Sequence, residues 1–180
     1  MDETRRPGDG GEEALKARMI RVDQAGEYGA QRIYAGQLAV LKGRPQAQAI
    51  QEMAEAERDH LTRFDKLMTA RGVRPTLLSP IWHVAGFALG AATALAGPKT
   101  AMACTEAVEE VIEEHYAAQK AALAGGDREL EALIEEAQAD EVDHKRRAIA
   151  EGARDAPVHG PLTAAIRAGT RMAIWLSERV

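Results

Sequence analysis

Two short stretches of the chain repeat the same pair of metal-binding residue types. Glu57 lies three residues before His60, and Glu141 lies three residues before His144. Residues three apart on an α-helix lie on the same face, so each glutamate would point in the same direction as its histidine. A carboxylate and an imidazole placed in this way can bind a divalent metal ion. The alternative is that both pairs are ordinary polar residues on solvated helix surfaces.

The neighbouring residues favour a buried position for both pairs. Met53 and Phe64 share the helical face of the first pair, and Ile134 and Ala148 share that of the second. An unpaired carboxylate in an apolar core is costly. Each glutamate and histidine pair therefore needs a charged partner or a metal ion.

Two further glutamates complete a candidate ligand set. Glu27 shares a helical face with Asp23 and Tyr34, which we expect to support the metal ligands, Asp23 through a hydrogen bond to a ligand histidine. In a later stretch rich in glutamate, helical phase places Glu109 on an apolar face. A separate stripe of this stretch, which we expect to face solvent, contains Glu106, Glu110 and Glu113.

Four glutamates and two histidines on four helical faces are the ligand pattern of ferritin-like di-iron and di-manganese proteins. One imidazole for each metal ion favours iron over calcium or magnesium. The spacing therefore predicts a dinuclear metal site, although a duplicated bundle that has lost its metal is an alternative. Asp59 and Asp143, which adjoin the histidines, are expected to be helix caps or members of surface ion pairs.

Glycine and proline residues divide the chain into the elements that position these side chains. Six helices are predicted, and they lie near 12–42, 46–71, 81–96, 99–123, 128–151 and 162–180. The order Glu, Tyr, Glu, His occurs in two successive helix pairs, which indicates a duplicated helical hairpin. The predicted fold is all-α: a ferritin-like four-helix bundle built from two hairpins, with an apolar crossover helix and a C-terminal amphipathic helix. Residues 1–11 are predicted to be a disordered lead to a single domain at 12–180.

The composition limits the classes of function and location. The formal net charge of −5, without a basic stripe, argues against binding to nucleic acid. The single cysteine excludes an internal disulfide framework and suits a reducing compartment. The N-terminus has neither the apolar stretch of a secretory signal nor the basic character of a transit peptide. These features favour a cytoplasmic bacterial protein.

Four stretches carry a more specific pattern: RMIRVDQAGEYGAQRIYAGQLAVL (18–41), VRPTLLSPIWHVAGFALGAATALAG (73–97), AMACTEAVEEVIEEHYAAQ (101–119) and MAIWLSERV (172–180). They resemble the demethoxyubiquinone hydroxylase family of ubiquinone biosynthesis. The resemblance implies a di-iron monooxygenase that uses O₂ and two Fe²⁺ ions to hydroxylate the benzoquinone ring, with NADH as a candidate electron donor. It also implies a polyprenyl benzoquinone substrate. A biosynthetic complex, a lipid-presenting partner protein and a homo-oligomer are candidate assemblies.

The residues that match the family's metal ligands are the same six, and the resemblance assigns the bridging positions to Glu57 and Glu141. It also places His115 and Tyr116 at a pair for which electron transfer is suggested in the family. A core histidine and a packing tyrosine are the alternatives for these two residues.

An uncharged segment indicates contact with lipid. Residues 75–98 contain no Asp, Glu, Lys or Arg, and the apolar helix at 81–96 is too short to span a bilayer. Gly86 and Gly90 are spaced to pack closely on another helix or to line a channel for the substrate tail. The residues expected to contact the tail or the membrane are Ile81, Trp82, Phe87, Leu89 and Trp175.

The last helix combines apolar residues with Arg167, Arg171 and Arg179, a pattern suited to lipid headgroups. We therefore predict a peripheral protein on the cytoplasmic face of a bacterial membrane. Core packing or an oligomer interface would account for the same apolar residues. Three other functions stay open: a ferritin-like ferroxidase or iron store, a peroxide-consuming di-metal protein, and a metal-free lipid-binding or scaffold protein.

Overall fold

Residues 11–180 are described by the computed structural model, and they are almost entirely helical. The α-helices are α1 (Glu12–Leu41), α2 (Gln46–Ala70), α3 (Ser79–Leu95), α4 (Pro98–Leu123), α5 (Arg128–Ala150) and α6 (His159–Ser177), with a short 3₁₀ helix at Ala153–Asp155. No strand occurs in this part of the chain, so the all-α prediction is confirmed. The predicted disordered lead at 1–11 falls, except for its last residue, outside the described residues.

The loop expected at 152–161 is shorter in the structure than the sequence pattern predicted. It contains the 3₁₀ helix, and α6 begins at His159, before Pro161. Pro161 was expected to precede the helix, but it lies in the first helical turn. A proline is tolerated there because the N–H groups of the first turn have no partner within the helix. The Asp127 side chain caps the start of α5, since it accepts a hydrogen bond of 3.1 Å from the Leu130 N–H.

Two short-loop hairpins, α1 with α2 and α4 with α5, form the four-helix bundle. Its apolar core consists of two clusters of buried side chains. One cluster includes Phe64 and Ile134, and the other includes Ile50 and Met53. Along α2 and α5 the candidate metal ligands lie between the two clusters, so a polar centre is enclosed by apolar layers on both sides along the bundle axis.

Helix α3 packs against the outside of α1 through positions where only glycine fits. A Cβ atom added to Gly90 would lie 2.0 Å from the Ile33 carbonyl oxygen, and one added to Gly36 would lie 2.2 Å from the Phe87 carbonyl oxygen. The predicted close packing of the glycine-containing segment is therefore observed, and its partner is α1. The opposite face of α3 is open, since Val84 is 67% exposed.

Helix α6 runs parallel to α4, and the two helices are joined by ion pairs. Arg167 lies 3.0 Å from Glu110, and Arg171 lies 2.9 Å from Glu114. One expectation is corrected in part here. Glu106, expected to face solvent, is only 6% exposed, whereas the side chains of Glu110 and Glu113 stay 38% and 30% exposed. Arg167 and Arg171, expected to contact lipid headgroups, pair with glutamates of α4, and the headgroup contact stays a prediction.

None of the helices within residues 11–180 has both the length and the apolar character needed to cross a membrane.

Candidate metal centre

The structure brings the six predicted ligand side chains together in the middle of the bundle. They form two overlapping groups, in each of which four ligand atoms lie within 4.8 Å of one another. The first group contains Glu27 and His60, and the second contains Glu109 and His144. Glu57 and Glu141 belong to both groups. Each of these two carboxylates is therefore placed where it can bridge two metal ions.

Both histidines direct the same ring nitrogen towards the carboxylates. His60 Nδ1 lies 3.7 Å from Glu27 Oε2 and 3.7 Å from Glu57 Oε2. His144 Nδ1 lies 3.0 Å from Glu57 Oε1 and 3.6 Å from Glu141 Oε2. The two Glu-x-x-His pairs thus converge from α2 and α5, as their positions on one helical face require.

Many of the polar atoms at this centre are buried without a hydrogen-bond partner. They are Glu27 Oε2, both carboxylate oxygens of Glu57, Glu109 Oε2, Glu141 Oε2, His60 Nδ1 and His144 Nδ1. Buried polar groups are nearly always paired, because an unmade hydrogen bond inside a protein is expensive. Oxygen and imidazole nitrogen atoms are the ligands expected for iron. The unpartnered atoms therefore fit a pair of bound cations.

The pKa values of the carboxyl groups reflect their shared burial. Burial, together with the charge of Glu57, raises the pKa of Glu27 well above its usual value, and burial raises the pKa of Glu109 to about 7. Burial and the neighbouring carboxylates also raise the pKa of Glu141. Burial acts in the same direction on Glu57, but its close contacts with Glu27 and both histidines outweigh burial and hold the pKa of Glu57 below its usual range. Metal binding requires deprotonated carboxylates and therefore acts against the raised pKa values.

Two tyrosines hold the outer glutamates in a reciprocal arrangement. The Tyr34 hydroxyl on α1 donates a hydrogen bond of 2.6 Å to Glu109 Oε1 on α4. The Tyr116 hydroxyl on α4 donates to Glu27 Oε1 on α1. Each bond occupies one carboxylate oxygen and leaves the other free, which orients the free oxygen towards the centre. This arrangement reflects the internal duplication. The tyrosine of each hairpin donates its hydrogen bond to the outer glutamate of the other hairpin.

Comparison with known proteins identifies the family of this chain. The family model described as "Ubiquinone biosynthesis protein COQ7" matches residues 14–177. The chain belongs to this family. It is 53% identical over 180 residues to the 3-demethoxyubiquinol 3-hydroxylase of Rhodospirillum rubrum, a match that covers 99% of this chain and 84% of the relative.

Two eukaryotic relatives extend the comparison. The human mitochondrial protein named NADPH-dependent 3-demethoxyubiquinone 3-hydroxylase is 50% identical over 167 residues, covering 91% of this chain and 77% of its own length. The mitochondrial 5-demethoxyubiquinone hydroxylase of Saccharomyces cerevisiae is 41% identical over 184 residues, covering 93% of this chain and 79% of the relative. The family resemblance inferred from the sequence motifs is therefore confirmed.

The supporting role predicted for Asp23 in this COQ7-family chain is corrected by the structure. Asp23 does not contact the ligand histidines. It accepts a hydrogen bond of 2.7 Å from Gln119 and lies 3.6 Å from His115 Nε2. Burial raises the pKa of Asp23, although His115 and Gln119 oppose this shift. The side chain of His115 is 17% exposed, so the polar cluster of Asp23, Gln119 and His115 extends from beside Tyr116 towards the surface. A role of His115 and Tyr116 in electron transfer stays a prediction.

A carboxylate that the sequence pattern did not single out contacts a ligand histidine. Asp140 Oδ2 on α5 lies 3.0 Å from His60 Nε2 on α2. The neighbouring Asp143 pairs with Arg146 at 3.1 Å, and Asp59 lies 3.7 Å from Arg63, so the surface pairs predicted for these two aspartates are observed. The contact depends on the antiparallel register of α2 and α5. It could therefore be predicted only after these two helices were known to be neighbours.

An apolar cavity of about 210 Å³ lies between α1, α3, α4 and α6. Its walls include Ala30 and Ile112, each one helical turn after an outer glutamate, so the cavity adjoins the metal-binding faces of α1 and α4. Trp82 and Leu89, two of the predicted tail contacts, also line it. The other three predicted contacts lie at the surface. The exposed fraction is 56% for Ile81, 36% for Phe87 and 52% for Trp175.

Proposed function

We propose that this chain is a monooxygenase of ubiquinone biosynthesis that hydroxylates the benzoquinone ring of demethoxyubiquinone. The observation that carries the proposal is the pair of overlapping buried ligand sets with unpartnered oxygen and nitrogen atoms, in a chain that is 53% identical to a 3-demethoxyubiquinol 3-hydroxylase. In the overall reaction one atom of O₂ enters the ring as a hydroxyl group. The other atom leaves as water, which takes up two protons and two electrons that a reductant supplies.

Two iron ions fit this ligand set. Glu27 and His60 would hold one ion, Glu109 and His144 would hold the other, and the two remaining glutamates would bridge them. When bound, ferrous ions supply the electrons and the open coordination positions that activate O₂. The carboxylates neutralise the ionic charge, and the tyrosine hydrogen bonds keep the outer glutamates in position.

The apolar cavity is the proposed binding site for the quinone ring. Its volume of about 210 Å³ lies below the range of about 300–1,000 Å³ that is common for pockets enclosing whole ligands. The ring end of the substrate would therefore enter, while the polyprenyl tail would leave along the exposed apolar side chains of α3 and α6. The cavity wall excludes water from the reacting carbon and orients the ring towards the outer glutamates.

Filling this cavity is expected to reduce turnover without removing the metal. Gly29 lines the cavity, and a Cβ atom added there would have no neighbour within 4 Å. The Gly29→Leu variant should fold, yet its side chain would occupy the space of the ring and displace it, which can cost on the order of 100-fold in kcat/KM. Steady-state kinetics and metal content should be measured together. Gly29→Ala is the matched control, and equal kinetics for all three proteins would contradict the proposed ring site.

The function itself is tested by a single-turnover experiment. Metal-free protein is loaded with two Fe²⁺ per chain without oxygen, then mixed with reduced demethoxyubiquinone and ¹⁸O₂. Mass analysis should find one ¹⁸O atom in the hydroxylated product. Oxidation of the iron without oxygen in the quinone would instead favour the ferroxidase alternative.

The reductant and the location of the protein are finer proposals. The names of the human and Dictyostelium discoideum relatives specify NADPH, whereas NADH was the donor implied by the family resemblance. For this chain we propose a nicotinamide nucleotide as the electron source. Comparing the rates of quinone hydroxylation with NADH and with NADPH would decide between the two donors, and no turnover with either would contradict the proposal.

Contact with the cytoplasmic surface of a bacterial membrane is proposed from the exposed apolar residues beside the cavity. Trp175 is 52% exposed, and its replacement by aspartate is expected to reduce the fraction of protein that floats with liposomes, because a charge replaces an apolar anchor. Ala139→Asp, on the exposed surface of α5, is the control for the added charge. Unchanged flotation of Trp175→Asp would favour the competing occupants of this surface, a second copy of the chain or a lipid-presenting protein.

A further inference from the structure

The two halves of the candidate metal centre differ in how their histidines are held. We infer that Asp140 is a positioning residue for His60, and that it makes the two metal positions inequivalent, with the metal held by Glu27 and His60 bound more tightly. The inference rests on the proposed dinuclear centre. It predicts that the position of Glu27 and His60 fills before the other position, although the two sets of ligands are nearly symmetric.

Both ring nitrogens of His60 face carboxylates. Nδ1 faces Glu27 and Glu57, whereas Nε2 lies 3.0 Å from Asp140 Oδ2. With a proton on Nε2 shared with this carboxylate, the lone pair of Nδ1 is directed at the metal position. A carboxylate on the far nitrogen of a ligand histidine fixes the ring orientation and makes the ligating nitrogen more basic.

His144 lacks the equivalent partner. Both of its carboxylate contacts, to Glu57 and Glu141, are made through Nδ1. Within residues 11–180, no other carboxylate lies within 4.0 Å of this histidine. The duplication accounts for the difference, since Asp140 directly precedes Glu141, and the equivalent position before Glu57 is Ala56.

The size of the expected effect follows from the exposure of the aspartate. Loss of such an outer carboxylate costs about 10- to 100-fold in metal affinity. The side chain of Asp140 is 44% exposed, and solvent weakens its interaction with the imidazole. We therefore expect a change near the lower limit, about tenfold, confined to one of the two metal positions.

The test is an anaerobic titration of metal-free protein with Co²⁺, followed by calorimetry and by visible absorption. The wild-type protein should bind two ions in two separable steps. Asp140→Asn should weaken the tighter step about tenfold, shift the absorption band that appears with the first ion, and leave the weaker step unchanged. Asp143→Asn is the matched control, because it removes the same charge from the same helix at a residue whose one ion pair within residues 11–180 is with Arg146.

The reverse substitution tests the same difference at the other metal position. Ala56→Asp places a carboxylate at the position equivalent to Asp140 and should strengthen the weaker step, which would bring the two affinities closer together. Two equal steps in the wild type, or the same loss in Asp140→Asn and Asp143→Asn, would overturn the inference while leaving the dinuclear centre intact. Failure of the wild type to bind any metal would instead refute the centre and, with it, the proposed function.

Discussion

Replacing Glu141 with glutamine is expected to abolish metal binding and product formation while leaving the metal-free fold intact. Glu141 belongs to both ligand groups, and its Oε2 atom has no hydrogen-bond partner. Burial and the charges of Glu57 and Glu109 raise its pKa well above the usual value. Glutamine has nearly the same shape and carries no charge to bury, but it lacks the anionic oxygens that bridge two cations.

Thermal unfolding with and without metal separates this effect from misfolding. A ligand that binds only the folded protein stabilises it by about 4 kcal/mol when its concentration is a thousandfold above Kd. Fe²⁺ or Co²⁺ should therefore raise the Tm of the wild type and have little effect on Glu141→Gln. Glu136→Gln is the control on the same helix, since Glu136 is exposed and pairs with Arg63. Normal metal stoichiometry in Glu141→Gln would contradict the bridging assignment.

Replacing Gly90 with alanine is expected to destabilise the protein by about 3 kcal/mol, a large loss for an added methyl group. The new Cβ atom would lie 2.0 Å from the Ile33 carbonyl oxygen, and backbone atoms cannot rotate away as a side chain can. Helices α1 and α3 would have to separate, which would also deform the cavity between them. Urea unfolding should show a lower midpoint with little change in the slope.

Gly169→Ala is the control for Gly90→Ala, because it also lies within a helix but has open space around its Cβ position. Removal of a glycine from a helix interior should stabilise by about 0.5–1 kcal/mol. The two substitutions are thus expected to act in opposite directions. A neutral effect of Gly90→Ala would show that α1 and α3 are not in backbone contact in solution.

Much of the candidate site was predictable because it depends on features within single helices. The spacing of Glu57 to His60 and of Glu141 to His144 places each pair on one helical face whatever the tertiary arrangement. Helical phase alone separates Glu109 from Glu110, and the structure places Glu109 in the cluster. Long periodic segments bounded by glycine and proline predicted six helices with bounds that differ by no more than three residues from those observed.

Contacts between helices were decided only by the tertiary structure. The pairing of His60 with Asp140, of Asp23 with Gln119 and of Arg167 with Glu110 depends on which helices are neighbours and on their relative register. Periodicity shows that a residue lies on a given face, but not which element covers that face. For this reason the sequence by itself determined the helices and the six candidate ligands, whereas helix packing decided how the histidines are held, where the cavity lies and which charges are covered by α6.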